Sequence, residues 1–289
     1  MSVIEVNNLK KHFGKVKAVD GISFKVEKGE IFGFLGPNGA GKTTTIRVMM
    51  DFIRPTEGDV KILGKDAQKN TVELKKNIGF LSGSVNLYKK LSGQAHIDFL
   101  KKLNGEKDIA DELAKRFDFN PEMKSKKLSS GNKQKLGIIL AFMNEPNILI
   151  LDEPTNALDP LLQNEMYELM EEARDRGATV FMSSHNLAEV ERVCDRVGII
   201  KKGKMVAIED MVGLKEKKIY TIKAFFGEEI DEKEFNLNGV QIDRHHYNNY
   251  TLKVKGDIDE IVKKVSKYKL RDIEIAQASL EDIFLEYYE

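Results

Sequence analysis

The chain has a single cysteine, Cys194, so no internal disulfide is possible and a reducing compartment is expected. The flanking residues, VERVCDRVGII, suit a buried structural thiol rather than a reactive one. An excess of either charge is also lacking. The 46 Lys and Arg balance the 46 Asp and Glu, which removes any support from overall charge for a nucleic-acid partner. No stretch approaches the roughly 18 apolar residues needed to cross a bilayer. The opening residues, MSVIEVNNLKKHFG, have no long apolar core, and no secretion signal is expected. There is no internal repeat and no low-complexity segment. A soluble chain is the expectation, which leaves docking onto a membrane protein open.

What is present is a hydrophobic share of 41% in 289 residues, enough for one large domain and a small one. Residues 2–8 and 16–27 read as strands, and residues 30–35 as a short buried strand. A helix is expected over 42–50, a strand over 59–63, a short helix over 71–76 and a strand over 78–81. Residues 92–140 read as mostly helical, with breaks near Gly105 and Pro121, as an inserted helical subdomain would. Strands then recur at 147–151, 178–182 and 197–200, with helices at 160–175 and 187–194 between them. This alternation predicts an α/β fold with a mainly parallel sheet.

The pattern changes after residue 213. Residues 215–218 read as a charged hinge. Strands follow at 219–226 and within 241–256, an amphipathic helix at 258–268, a strand at 271–278 and a helix at 280–288. The reading is a domain over 1–213 and a small α/β domain over 214–289, built on an antiparallel sheet with helices on one side. Within it, HHYNNYT at 245–251 lacks metal-ligand spacing, since adjacent strand residues point to opposite faces.

The chemistry lies in two runs. GPNGAGKTT comprises Gly36, Pro37, Asn38, Gly39, Ala40, Gly41, Lys42, Thr43 and Thr44, and fits G-x-x-x-x-G-K-[ST] at every fixed position. It follows a buried strand and opens a helix, the context a phosphate-binding loop needs. Its glycines let backbone N–H groups close around phosphate oxygens, Lys42 reaches the β- and γ-phosphates, and the Thr43 hydroxyl ligates Mg2+. Further on, ILILDEP at 148–154 is an apolar strand ending in two carboxylates. Asp152 is placed to hold the magnesium, directly or through water, and Glu153 is the candidate general base for an attacking water. His185 follows the strand ATVFMSS, where both a structural role and a γ-phosphate contact stay open. A nucleoside triphosphate with magnesium is the expected ligand, and its hydrolysis the expected reaction.

These motifs, in this order, resemble the nucleotide-binding subunits of ATP-binding cassette (ABC) transporters over residues 2–213. LSSGNKQK at 128–135 is similar to the family signature LSGGQ, NALD at 156–159 to the loop after the acidic strand, and SSH at 183–185 to the switch histidine. The resemblance implies two subunits stacked head to tail around two ATP molecules. It implies that Ser129 and Gly131 grip the γ-phosphate across that interface, and that Asp159 ties the two sites together. Phe13 matches the aromatic that stacks on adenine, and His185 the γ-phosphate sensor. It further implies a homodimer, or a heterodimer with a similar cassette, at the cytoplasmic face of the membrane. There ATP-driven closure moves a separately encoded permease.

Three positions depart from the family pattern. The usual glutamine after IGFL is missing, and the chain reads SGSVNLY around Gly83. Ser130 stands for the first glycine of the signature pair, and Asn132 for its glutamine. The tail ASLEDIFLEYY is similar to that of the exporter-like ABC-2 or multidrug subgroup, whose accessory domain is expected to support dimerisation or regulation. Ile283, Phe284, Tyr287 and Tyr288 either dock on a subunit or fill the small domain's core. Two alternatives remain. A soluble cassette ATPase acting on ribosomes or nucleic acid would ordinarily carry two cassettes or long coiled coils. A regulatory ATP-binding protein would turn ATP over weakly.

Overall fold

The computed structural model describes residues 1–104, 108–216 and 219–277. The chain divides into two compact units, Met1–Asp210 and Met211–Glu289.

The first unit is built on two sheets. Ile31–Leu35 is buried at all five positions, because both faces of that strand are covered. It lies inside a six-stranded sheet in the order Lys204–Asp210, Arg196–Lys201, Ile31–Leu35, Thr179–Ser184, Ile148–Asp152, Ile78–Leu81. Five of these strands run parallel, and only Lys204–Asp210 is antiparallel to its neighbour. A second, antiparallel sheet has the order Val16–Glu27, Ser2–Phe13, Glu57–Ile62, Lys65–Asp66. Phe24 of this sheet meets Phe32, Phe34 and Phe181 of the other, with ring centroids 5.3–5.8 Å apart. Fully burying a ring of this size is worth about 2–3 kcal/mol, so the cluster fixes one sheet against the other.

Helices follow the strands as the sequence pattern predicts, at Lys42–Met49, Thr71–Lys75, Pro160–Asp175 and Leu187–Val193. The inserted helical stretch contains Gly93–Asn104, Ala110–Arg116 and Ser130–Phe142. Arg116 ties it to the helix Pro160–Asp175, reaching Glu165 and Glu172 at 2.7 Å each and Glu168 at 3.4 Å.

Two features differ from the sequence reading. Lys204–Asp210 is a strand, entered through a turn at Lys202 (φ 49°) and Gly203 (φ 77°). It sits at the sheet edge, and although MVAI at 205–208 is apolar, none of its positions is fully buried. Residues 211–216, where the charged hinge begins, form the helix Met211–Glu216.

The second unit is a four-stranded antiparallel sheet in the order Val240–His246, Asn249–Lys255, Ile219–Phe226, Leu270–Gln277. One face buries Ile222, Phe226, Tyr250 and Leu252 with Phe235 and with Ile261 and Val265 of the helix Asp259–Val265. His245 stacks on Tyr250 at 4.1 Å, and its Nδ1 lies 2.6 Å from Glu232. The break at Gly105, the expected helix over 280–288, and Ile283, Phe284, Tyr287 and Tyr288 within it lie outside the described residues.

Candidate nucleotide site

The parallel strands bring three loops to one edge of the sheet, the edge where open α/β sheets bind ligands. The loop after Ile31–Leu35 carries residues 36–41, the loop after Ile148–Asp152 carries Glu153, and the loop after Thr179–Ser184 carries His185. A cleft of about 760 Å³ opens there, lined by Phe13, Lys42, Thr43, Thr44, Asp152, Glu153 and His185 among others. Pro37, Asn38, Gly39, Ala40 and Gly41 also line it. This volume suits a nucleotide-sized ligand.

Two glycines make the loop possible. A Cβ on Gly36 would stand 2.4 Å from the Ile200 carbonyl oxygen, so only glycine can leave the strand there. Gly41 has φ 113°, and a Cβ on it would lie 2.5 Å from the Ala18 carbonyl oxygen. The chain then enters the helix Lys42–Met49 with its first N–H groups free for a phosphate.

Lys42 is only 6% exposed, and its ammonium is fully used. It donates to the carbonyls of Gly36 at 2.5 Å and Pro37 at 3.3 Å, and it pairs with Glu153 Oε1 at 3.3 Å. Glu153 Oε2 lies 2.8 Å from His185 Nδ1. Lys42, Glu153 and His185 therefore form one continuous line. Glu153 reaches both neighbours because its backbone is left-handed, with φ 51°. That conformation costs a residue with a side chain about 1–3 kcal/mol and persists only where the surroundings impose it. Here the Glu153 N–H donates to the Ser183 carbonyl at 3.2 Å and the Ser183 hydroxyl at 3.1 Å.

Asp152 ends the inner strand and is 3% exposed. Its Oδ1 accepts the Ser183 hydroxyl at 2.6 Å. Its Oδ2 faces Gly83, where an added Cβ would come within 3.2 Å. With the Thr43 hydroxyl, the carboxylate offers the hard oxygen donors that Mg2+ prefers. Among the described residues no group of three or more His, Cys, Asp or Glu could hold a metal by itself.

Three expected residues lie apart from this cleft. Ser129 caps the helix Ser130–Phe142, accepting from the Asn132 N–H at 3.2 Å. Gly131 sits in the first turn of that helix, where a Cβ would meet the Ala157 carbonyl oxygen at 3.0 Å. Asp159 caps Pro160–Asp175, accepting from the N–H groups of Leu161 and Leu162 at 3.1 Å. Phe13 is on the cleft and half exposed, with Lys11 Nζ 4.9 Å above its ring.

Several participants have no role that the motifs assign to them. Ser183 orients both acidic residues. Glu189 is buried and accepts the hydroxyls of Thr155 at 2.5 Å and Ser184 at 2.7 Å, bracing the loop after the acidic strand against the next strand. Gln134 reaches the carbonyl of Pro154 at 2.8 Å. Arg47 and Asn156 complete the cleft wall.

The family model described as "ABC transporter" matches residues 19–156. An ABC transporter ATP-binding protein of Bacillus subtilis, YhcH, is 35% identical over 99% of this chain and 95% of its own length. This chain belongs to the ABC transporter family, as an ATP-binding subunit. The bacitracin transport ATP-binding protein BcrA of Bacillus licheniformis is 40% identical over 71% of this chain and 69% of its own length. Among solved structures, an ATP-binding subunit of an ABC transporter superposes with TM-score 0.69 at 28% identity, covering 74% of this chain and 92% of that one. The dimeric ABC transporter cassette MJ0796 gives TM-score 0.66 at 25% identity, covering 72% of this chain and 98% of that one. The expected α/β cassette fold is thus confirmed, and the homologues fit the expected multidrug-export subgroup. The subunit is an ATPase. The MJ0796 cassette is dimeric in its solved structure, and BcrA is named for bacitracin transport. No described helix of this subunit is long and apolar enough to cross a membrane.

Proposed function

We propose that this ABC subunit closes head to tail with a second copy of itself, or with a similar cassette, around two ATP molecules, and so drives export through a separate permease. The observation that carries this reading is the line Lys42–Glu153–His185 at the sheet edge, beside Thr43 and Asp152.

Lys42 and the backbone N–H groups of residues 36–44 hold the β- and γ-phosphates, and Phe13 stacks on adenine. Phosphate oxygens compete with Glu153 for Lys42, so nucleotide binding frees the Glu153 carboxylate. It then takes a proton from the attacking water. His185, with Nδ1 committed to Glu153, presents Nε2 to the γ-phosphate. The Thr43 hydroxyl and the Asp152 carboxylate hold Mg2+, which when bound neutralises charge on the phosphates.

Ser129 and Gly131 act on the partner's nucleotide, and Asp159 ties the two sites together. Their position away from their own cleft supports that division of labour. Export is supported by relatives named for linearmycin resistance and multidrug transport, at 37% and 36% identity. The permease places the subunit at the cytoplasmic face of the membrane. The cassette comprises residues 1–213, and the domain over 214–289 supports dimerisation or regulation. No nucleic-acid partner is involved.

The test is the solution mass of Glu153→Gln protein with and without ATP and Mg2+. The substitution stops hydrolysis and traps the closed state. The 32.8 kDa chain is expected to become a dimer only with nucleotide. A mass unchanged while ATP is bound would refute closure of the subunit on itself.

A further inference from the structure

The helix Ser130–Phe142 begins at the signature segment and carries one buried polar side chain a single turn in, Gln134, which is 4% exposed. Its amide does not bond within its own helix. It donates to the carbonyl of Pro154 at 2.8 Å and lies 3.4 Å from that of Glu153. Glu153 is therefore held from two sides. Ser183 of the neighbouring strand takes its N–H, and Gln134 of the signature helix takes the carbonyls that follow it. Because Glu153 has φ 51°, the direction of its carboxylate depends on both restraints.

A second contact joins the same two segments. Gly131 packs so closely on the Ala157 carbonyl that a Cβ would stand 3.0 Å from it, and Ala157 is itself left-handed at φ 61°. The start of the signature helix and residues 153–157 thus interlock at two points. A shift of one is passed to the other chiefly through the Gln134–Pro154 bond, which is buried and cannot exchange its partners with water.

We propose that Gln134 is a positioning residue that couples the two nucleotide sites of the dimer: when Ser129 and Gly131 engage the partner's nucleotide, Gln134 sets Glu153 of the same chain on its own attacking water. This rests on the roles proposed above for Glu153 and the signature segment. The coupling runs within each chain, from the surface that reads one ATP to the base that acts on the other. It predicts that occupancy of both sites is needed for full turnover.

The test substitutes Gln134→Met, which keeps an unbranched side chain of similar length and removes the donor. Turnover is measured against ATP concentration, and solution mass is measured for Gln134→Met placed in the Glu153→Gln background. The expected result is a fall in kcat of about tenfold or more, the scale of a small misplacement of a catalytic group. KM should stay nearly unchanged, the Hill coefficient should fall toward one, and ATP should still dimerise the double variant. Gln134→Lys, which returns a donor to the same carbonyls, should recover part of the lost kcat and the cooperativity. Unchanged kcat and Hill coefficient in Gln134→Met would overturn the proposal. So would loss of ATP-driven dimerisation or of folding, by thermal melt, in both Gln134 variants, since that marks a purely structural residue. Wild-type turnover that survives Glu153→Gln would refute the assignment of the base itself, which is a separate failure.

Discussion

Placing a glutamine at Gly83, in the segment where the family glutamine is missing, should impair this ATPase rather than improve it. Gly83 lies directly over the acidic strand end. A Cβ built there stands 3.2 Å from Asp152 Oδ2, 3.3 Å from its Cγ and 3.3 Å from its carbonyl oxygen. Asp152 has little freedom to move away, being 3% exposed and held by the Ser183 hydroxyl at 2.6 Å. Forcing extra atoms into a packed site costs about 1–3 kcal/mol. About 1 kcal/mol falling on the carboxylate that holds magnesium corresponds to roughly a fivefold loss in kcat/KM. Gly83→Ala carries the same Cβ without the amide and separates the two contributions. Steady-state ATP hydrolysis and calorimetric titration with Mg-ATP should show similar losses for Gly83→Gln and Gly83→Ala. Faster turnover in Gly83→Gln, or no change in Gly83→Ala, would refute the steric argument. Either would mean that the loop over 82–84 moves to admit a side chain.

Two further outcomes follow from the same structure. The chain has no tryptophan, so Phe13→Trp introduces a single tryptophan at the cleft, and ATP should change its emission; a tryptophan spectrum indifferent to saturating ATP would remove Phe13 from the base-binding role. Burial, first, and then the nearby Asp195 and Glu189 carboxylates push the Cys194 thiol well above its usual range, so it stays neutral and unreactive at pH 8 in the folded protein. A thiol reagent should label one site per chain only after denaturation, and rapid native labelling would contradict the burial.

The order of strands and helices was legible because each inner element carries its own local signature. Ile31–Leu35 and Ile148–Asp152 are continuous apolar runs, and the phosphate loop needs glycines at fixed points for reasons of backbone space alone. The antiparallel edge strand Lys204–Asp210 is less legible, because its apolar run MVAI is only four residues long and carries no period that separates strand from helix. Lys42, Thr43, Asp152 and Glu153 could be named from the chain, since a contiguous motif places each of them.

What the chain could not reveal is how those residues are held. The bond from Gln134 to Pro154 spans 20 residues, that from Ser183 to Asp152 spans 31, and that from Thr155 to Glu189 spans 34. Such partners have no fixed spacing, because parallel strands are joined by helices of variable length. The left-handed turn at Glu153 has the same origin, since no local preference calls for it and only neighbouring strands and the signature helix impose it. The reacting groups, and the order of the elements that carry them, are written in contiguous motifs and local patterns. Their orientation comes from packing, because it depends on hydrogen bonds that exist only once distant segments are brought together.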